Sequence, residues 1–287
     1  MNVKQLLAGL TLVAVVVGAP ARAAAQSRPL VTEDPETVPA GNMLVEAGVD
    51  MHQDAFFPAS GLRGRLWKIG TFGLSIGISS IAEIQFDGGL RNSLKVATIT
   101  PAPLSGMLDF TGDTTSDVED LRIGTKIRFL SETASRPAMA VRFSTRLPNA
   151  GNESGLGLDT TDFHFGLAAA KTVRSVRVAG NFGFGILGDA VRGDDQNDVL
   201  EYGISVARAV APGAEIVAEL NGRLNTRATE ALTPIGTDSL SVMRVGGRFT
   251  RGPVRLDAAL LVGVTERDPS WGFTVGATWV FKAFEIH

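Results

Sequence analysis

Twelve short stretches of this chain, all after residue 40, alternate apolar and polar side chains one for one. A period of two is typical of a β-strand, because successive side chains point to opposite faces. One face is rich in Phe, Ile, Leu and Val, and the other carries Arg, Gly, Ser and Asp. The predicted strands are residues 42–51, 62–67, 71–86, 118–130, 138–147, 161–171, 176–187, 199–208, 215–225, 240–250, 254–264 and 271–281.

The connections between these strands alternate in length along the chain. Long ones such as 87–117 and 148–160 are followed by short ones such as 172–175 and 251–253. An even strand count with alternating loop lengths is typical of transmembrane barrels. A soluble sandwich would also alternate apolar and polar residues, but it would not require this loop pattern. We therefore predict an all-β fold, an up-and-down antiparallel transmembrane β-barrel of about 12 strands.

The N-terminus has the pattern of a secretory signal peptide. Lys4 precedes an apolar run over 6–17, Pro20 breaks it, and 23–25 are three alanines. The run is shorter than the roughly 20 residues that a membrane-spanning helix needs. The predicted organisation is a signal peptide at 1–25, a periplasmic N-terminal segment at 26–41, a barrel at 42–281 and a tail at 282–287, placed in a bacterial outer membrane.

Composition narrows the chemistry. The chain has no cysteine, so it can hold neither a disulfide nor a thiolate nucleophile. Removal of 1–25 would leave 25 of the 27 basic residues, since Lys4 and Arg22 lie there, against all 30 acidic ones. That balance gives no reason to expect nucleic-acid binding. A mean hydropathy of +0.15 is low for a helical membrane protein, whereas a barrel carries its apolar residues only at alternate positions.

The predicted inner wall carries more bases than acids. A ladder of ion pairs that stiffens the barrel is one interpretation, since charges inside a membrane need a partner or water. A positive constriction that favours anions is the other. The predicted pore-lining residues are Arg122, Lys126, Arg128, Arg142, Arg146, His164, Arg177, Glu201, Glu219, Arg223, Arg244, Arg248, Arg255 and Asp257.

Other motifs give no site. Gly183, Gly185 and Gly188 spell G-x-G-x-x-G, but inside a strand rather than between a strand and a helix. His164 near Asp162 has no nucleophile placed by spacing, so we interpret it as a polar lumen residue. The acidic stretch 189–198 lacks the spacing of a calcium loop. The sequence therefore predicts no cofactor, no metal site and no catalytic residues.

A family resemblance depends on turn residues spread over nearly all of the chain after 25. They are Arg28-Pro29-Leu30-Val31-Thr32-Glu33-Asp34, Val38-Pro39-Ala40-Gly41, Asp120-Leu121-Arg122-Ile123-Gly124, Leu147-Pro148-Asn149-Ala150-Gly151-Asn152, Gly155-Leu156-Gly157, Thr160-Thr161-Asp162 and Asp268-Pro269-Ser270-Trp271-Gly272, with the final strand ending at Phe281. With them the sequence resembles the transporter family of the MetA pathway of phenol degradation, although the family's usual Pro-Thr-Gly is altered here. The resemblance implies an outer-membrane barrel for uptake of aromatic or hydrophobic solutes.

The expected function is passive passage of small solutes, aromatic or anionic, through the outer membrane, and not an enzymatic reaction. A closed structural barrel is an alternative. A phospholipase-type hydrolase is another, but it needs a Ser–His pair on the lipid-facing wall, whereas His164 falls on the predicted inner face. The expected partners are outer-membrane lipid and a small solute, with no nucleic acid, and the oligomeric state stays open.

The loop-length pattern predicts that both chain ends are periplasmic and that 87–117 lies outside the cell. In intact cells, Gly112→Cys should react with a maleimide that cannot cross the outer membrane, and Gly252→Cys should be protected. The chain has no other cysteine to confuse the readout. Equal labelling of the two variants would contradict this topology.

Overall fold

A computed structural model describes residues 28–192, 196–226 and 236–285. The predicted signal peptide lies outside the described residues. Within the described ranges, no helix has both the length and the apolar character needed to cross a bilayer.

Twelve antiparallel strands close into a barrel, as the sequence predicted. In the described part of the chain, each of the twelve strands pairs with the next, and the first, Asn42–Phe57, pairs with the last, Trp271–Lys282, to close the ring. A short extra strand, Thr114–Asp117, pairs with the far end of the third strand and is not part of the ring. The strands are β1 Asn42–Phe57, β2 Leu62–Gly77, β3 Ala82–Ile99, β4 Thr114–Asp117, β5 Arg122–Leu130, β6 Ala138–Arg146, β7 Asp162–Val173, β8 Val176–Gly188, β9 Gln196–Ala211, β10 Ala214–Asn225, β11 Leu240–Arg251, β12 Val254–Gly263 and β13 Trp271–Lys282.

The barrel has a short-turn end and a long-loop end. Tight connections such as 174–175 and 252–253 lie at the short-turn end, and 147–161 lies at the long-loop end. The outward side chains form an exposed apolar belt, with Trp271 near the long-loop end and Trp279 near the short-turn end. Aromatic girdles at both interfaces are typical of a membrane barrel.

The predicted strand 71–86 is wrong, because it spans the end of β2 and the start of β3. The chain turns at 78–81, where Ser79 Oγ accepts hydrogen bonds from the backbone N–H groups of Ile81 and Ala82. The apolar alternation continues through this turn without a break. Because the connection has four residues, an even number, the outward positions of both strands have even residue numbers. No Gly or Pro marks the turn in the sequence.

The predicted turn at 68–70 is also wrong, because β2 runs straight through it. Gly70 has φ +69° and forms a bulge, since Ile69 pairs with Val49 and Thr71 pairs with Gly48. A bulge adds one residue and reverses which side chains face out. Arg65 therefore lies on the outer face, where it is exposed.

The first three strands project beyond the belt at the long-loop end. Here β3 continues to Ile99, within the stretch predicted as the loop 87–117. The inward faces of these strands form a small hydrophobic cluster around Leu62, Leu66 and Leu94, each at most 5% exposed. Side chains from the loops, including Leu156, pack against it. The cluster fixes the loops over one side of the barrel mouth.

Candidate functional site

Residues 28–38 form an extended segment inside the barrel, called here the lumen segment. It enters beside the short-turn end, where the backbone N–H of Val38 donates to Glu83 Oε2 at 2.5 Å. It then crosses the lumen to Arg28, which lies against β1, β12 and β13. The sequence predicts a periplasmic segment at 26–41, and its patterns gave no sign that residues 28–38 lie inside the barrel.

The lumen segment is anchored by a buried lysine. Lys126 is 1% exposed, and its Nζ lies 3.1 Å from Glu83 Oε1 and 3.5 Å from Glu33 Oε2. The same ammonium donates to the backbone carbonyl of Asp34 at 2.9 Å. All three partners are needed because a buried ammonium loses its hydration. Lys126 thus joins the wall strand β3 to the segment.

A second anchor lies at the short-turn end. The Arg177 guanidinium binds Asp34 with two parallel bonds of 2.5 and 2.7 Å. Its Nη1 also donates to Glu132 Oε2 at 3.0 Å. Burial raises the pKa of the Glu132 carboxyl, but hydrogen bonds from Thr172, Lys171 and Arg177 outweigh burial and hold this pKa below its usual value. Glu132 therefore stays charged and fixes the guanidinium that holds the segment.

The opposite end of the lumen segment is basic and meets acids. Arg28 Nε lies 3.5 Å from Asp257 Oδ1, and its Nη2 lies 3.8 Å from Asp50 Oδ1. Gly48 and Gly276 make the space for this side chain, because a Cβ on either would lie within 2.5 Å of the guanidinium. Charge on the segment is thus matched at both ends by opposite charge on the wall.

The middle of the lumen segment is held through its backbone. Glu219 accepts hydrogen bonds from the backbone N–H groups of Val31 and Thr32 at 2.8–2.9 Å. Arg244 Nη1 donates to the same carboxylate at 2.8 Å. Glu219 has a fully buried side chain, so these donors replace the water that it loses.

All of the predicted pore-lining residues project inward from their strands, but the structure separates them into two groups. Those that bind the lumen segment directly are Lys126, Arg128, Arg142, Arg177, Glu219 and Asp257. Those that bind other wall groups or face a cavity are Arg122, Arg146, His164, Glu201, Arg223, Arg244, Arg248 and Arg255. Several of the basic residues predicted on the inner wall therefore bind the acidic residues of the lumen segment.

Two adjacent cavities, which share several lining residues, lie in the long-loop half of the barrel. The larger, called here the vestibule, has a volume of about 780 Å³ and reaches down to Leu30 and Val31. The smaller, called the side cavity, has a volume of about 320 Å³ and lies beneath the loop at 155–158. Arg122, Arg146 and Arg223 line both.

These three arginines differ in their partners. Arg146 binds Asp120 and Asp162, with 2.5 Å from its Nη2 to Asp162 Oδ2. In the described part of the chain, no carboxylate oxygen lies within 4.0 Å of Arg122 or Arg223. Both guanidiniums are largely buried yet border open space, so they form a positive surface that an anion can approach.

A histidine bonded to a glutamate lies beside these arginines, since Glu201 is the cross-strand neighbour of Arg223. His164 Nδ1 lies 2.9 Å from Glu201 Oε1. Ser144 is the cross-strand neighbour of His164, but over the described ranges neither Ser144 Oγ nor His164 Nε2 has a hydrogen-bond partner. The two are thus not joined as a nucleophile and its base would be. No group of three or more His, Asp or Glu residues among those described could hold a metal ion.

One signal could have revealed the lumen segment from sequence. Three of its eleven residues are acidic and lie close together at Glu33, Asp34 and Glu36. The inner faces of β5, β6 and β8 have the basic surplus that matches them. The opposite charges of this acidic segment and of the basic inner wall can be seen in the sequence. Alternation patterns, however, do not show where a segment outside the strands lies relative to the barrel.

Comparison with known proteins supports the architecture. No known family model matches the sequence, and no curated protein matches it as a relative. The chain is similar in structure to an outer membrane channel of Pseudomonas putida F1, with 14% identity, a TM-score of 0.61 and coverage of 86% of this chain and 98% of that one. It is also similar to the NanC porin, at 7% identity and a TM-score of 0.50, over 83% and 98% of the two chains. The fold is thus that of outer-membrane barrels, and the resemblance to the MetA-pathway family stays a prediction.

The buried anchor predicts a large loss of stability on substitution. Lys126→Met should lower the free energy of unfolding by about 3–5 kcal/mol, because it leaves the fully buried Glu83 carboxylate without its cation. Urea unfolding in lipid vesicles, followed by tryptophan fluorescence, measures this change. The double variant Lys126→Met/Glu83→Gln should recover part of the loss.

The matched control is Lys282→Met, which removes an ion pair whose two side chains are 65% and 70% exposed. Exposed pairs contribute under about 1 kcal/mol. Similar losses for Lys126→Met and Lys282→Met would mean that Lys126 does not hold the lumen segment.

Proposed function

We propose that this protein is an outer-membrane channel for passive passage of small anionic solutes, aromatic ones included. The observation that carries the proposal is the pair of cavities in the long-loop half, both lined by Arg122 and Arg223 without a carboxylate partner among the described residues. The fold likeness to the channel of Pseudomonas putida F1 concerns architecture only. The preference for anionic solutes is inferred from the two arginines.

Electrostatics favours anions in this half of the lumen. Carboxylates around the vestibule are engaged, since Glu119 binds Lys68 and Asp120 binds Arg146. The two remaining guanidiniums repel cations and attract anions in a space with low-dielectric walls. An anion that enters from the long-loop end would therefore meet a positive surface before it reaches the lumen segment.

The lumen segment would form the narrow part of this path, because it crosses the interior of a twelve-stranded barrel. A barrel of this size has a lumen intermediate between filled and open barrels. A solute that passes beside the segment would therefore have to be small. We place the long-loop end outside the cell and the segment on the periplasmic side.

A closed structural barrel is the second candidate, and one observation favours it. The lumen segment is bound to β1, β3, β5, β6, β8, β10 and β12. A segment held on so many sides could seal the barrel. The phospholipase-type alternative has less support, since His164 faces the interior instead of lipid.

Conductance in a planar bilayer tests the proposal. The wild-type pore should conduct, and its reversal potential in a salt gradient should show anion preference. Arg122→Gln/Arg223→Gln should move that potential toward cation preference, because the substitutions remove both cations without breaking an ion pair. Arg65→Gln is the control, since Arg65 is exposed on the outer face and should leave selectivity unchanged.

A conducting wild-type pore that prefers cations would contradict the electrostatic argument. A protein that folds and inserts but never conducts would favour the closed barrel. An equal shift from Arg65→Gln would show that the lumen arginines are not the cause of selectivity.

A further inference from the structure

The His164–Glu201 pair lines the side cavity between Arg122 on β5 and Arg223 on β10, and Glu201 is the cross-strand neighbour of Arg223. The two residues belong to β7 and β9, and β8 runs between them. The imidazole reaches across β8 because Gly185 has no side chain. A Cβ there would lie 3.2 Å from His164 Nδ1 and 3.5 Å from Glu201 Oε1. The glycine thus allows a contact between strands that are not neighbours.

This contact fixes which nitrogen of His164 carries the proton. A carboxylate only accepts hydrogen bonds, so Nδ1 is the nitrogen that donates to Glu201. In the neutral imidazole, Nε2 is then an acceptor with a defined direction. The His164 side chain is only 8% exposed, and within the described ranges its Nε2 has no partner. A buried acceptor without a partner is costly, and a ligand hydroxyl would satisfy it.

A second acceptor lines the same cavity. Glu201 is 32% exposed, and its second oxygen Oε2 can also accept a hydrogen bond from a hydroxyl. His164 and Glu201 therefore favour a polar ligand with O–H donors over an apolar one.

The side cavity also carries positive charge from Arg122 and Arg223, which lie on either side of the His164–Glu201 pair. A guanidinium binds a carboxylate with charge-assisted hydrogen bonds. The cavity volume of about 320 Å³ is at the lower limit of small-molecule sites, which begin near 300 Å³. The space therefore suits one small molecule that carries both a carboxylate and hydroxyl groups.

We propose that the side cavity is a binding subsite for small hydroxy acids. The ligand carboxylate binds Arg122 and Arg223, and a ligand hydroxyl donates to His164 Nε2. The inference depends on the proposed channel function, since it names the solute class that this channel would hold along its path. It adds a requirement for hydroxyl groups that positive charge alone does not impose.

The test compares two ring carboxylates that differ in their hydroxyl groups. D-glucuronate and cyclohexanecarboxylate are titrated into the purified full-length protein in detergent, and binding is measured by calorimetry. The wild type should bind glucuronate about tenfold more tightly, because a site with buried polar groups discriminates against a ligand that leaves them unpaired. Cyclohexanecarboxylate reports the contribution of the carboxylate alone.

Variants at the histidine separate recognition from folding. His164→Phe keeps a ring but removes the acceptor, so the preference for glucuronate should fall to about twofold or less. His164→Gln should retain most of the preference, because its amide can donate to Glu201 and accept from the ligand. Ser205→Ala is the control, since Ser205 faces inward on β9 but lines neither cavity. Its preference should equal that of the wild type.

Equal binding of the two ligands to the wild type, or an unchanged preference in His164→Phe, would overturn the subsite. If His164→Phe fails to fold, loss of preference in a folded His164→Gln would also overturn it, whereas retention would support it. The channel proposal fails separately. If the protein does not conduct in a planar bilayer but calorimetry shows the preference for glucuronate, the channel proposal is contradicted and the subsite proposal stands.

Discussion

Every charge inside a membrane barrel needs an opposite charge, a hydrogen bond or water, because the surrounding hydrocarbon offers none. In this barrel much of that requirement is met by the lumen segment. Its acids neutralise bases on β5, β6 and β8, and Arg28 meets acids on β1 and β12. The segment and the wall therefore stabilise each other, because each would otherwise hold unpaired charges inside the barrel.

The same pairing divides the lumen into two electrostatic halves. Toward the short-turn end, wall bases such as Lys126 and Arg177 are used to hold the segment. Toward the long-loop end, the segment contributes no acid to Arg122 or Arg223, and the cavities lie there. A count of lumen charges cannot show this division, because it depends on where the segment lies along the barrel axis. The two cavity-lining arginines without a carboxylate partner among the described residues thus lie in the long-loop half.

Much of the fold could be predicted from the sequence, since a two-residue period determines both the strand type and the face of each side chain. The strand count and most strand positions follow from it. The two-residue period gave wrong strand boundaries at 78–81 and at Gly70. A four-residue turn without Gly or Pro keeps the alternation intact, and a bulged glycine imitates a turn while the strand continues.

The candidate site was predictable only in part. Inward positions such as Arg122 and His164 follow from parity alone. Their roles do not, because they depend on contacts between residues distant in sequence, such as Asp34 with Arg177 and His164 with Glu201. The lumen segment is polar and has no two-residue period. The pattern that identifies the strands therefore gives no information about where this segment lies.

The location of the lumen segment is the claim on which this account depends, and a designed cross-link tests it most directly. A Cβ on Gly203 would lie 2.8 Å from Thr32 Oγ1, and the natural chain has no cysteine. Thr32→Cys/Gly203→Cys should form a disulfide in the folded barrel, seen as a reductant-sensitive shift on a gel. Thr32→Cys/Gly166→Cys should not, since no part of the segment lies within 4 Å of a Cβ on Gly166. Free thiols in the first variant, or cross-linking in both, would contradict a segment seated against β9.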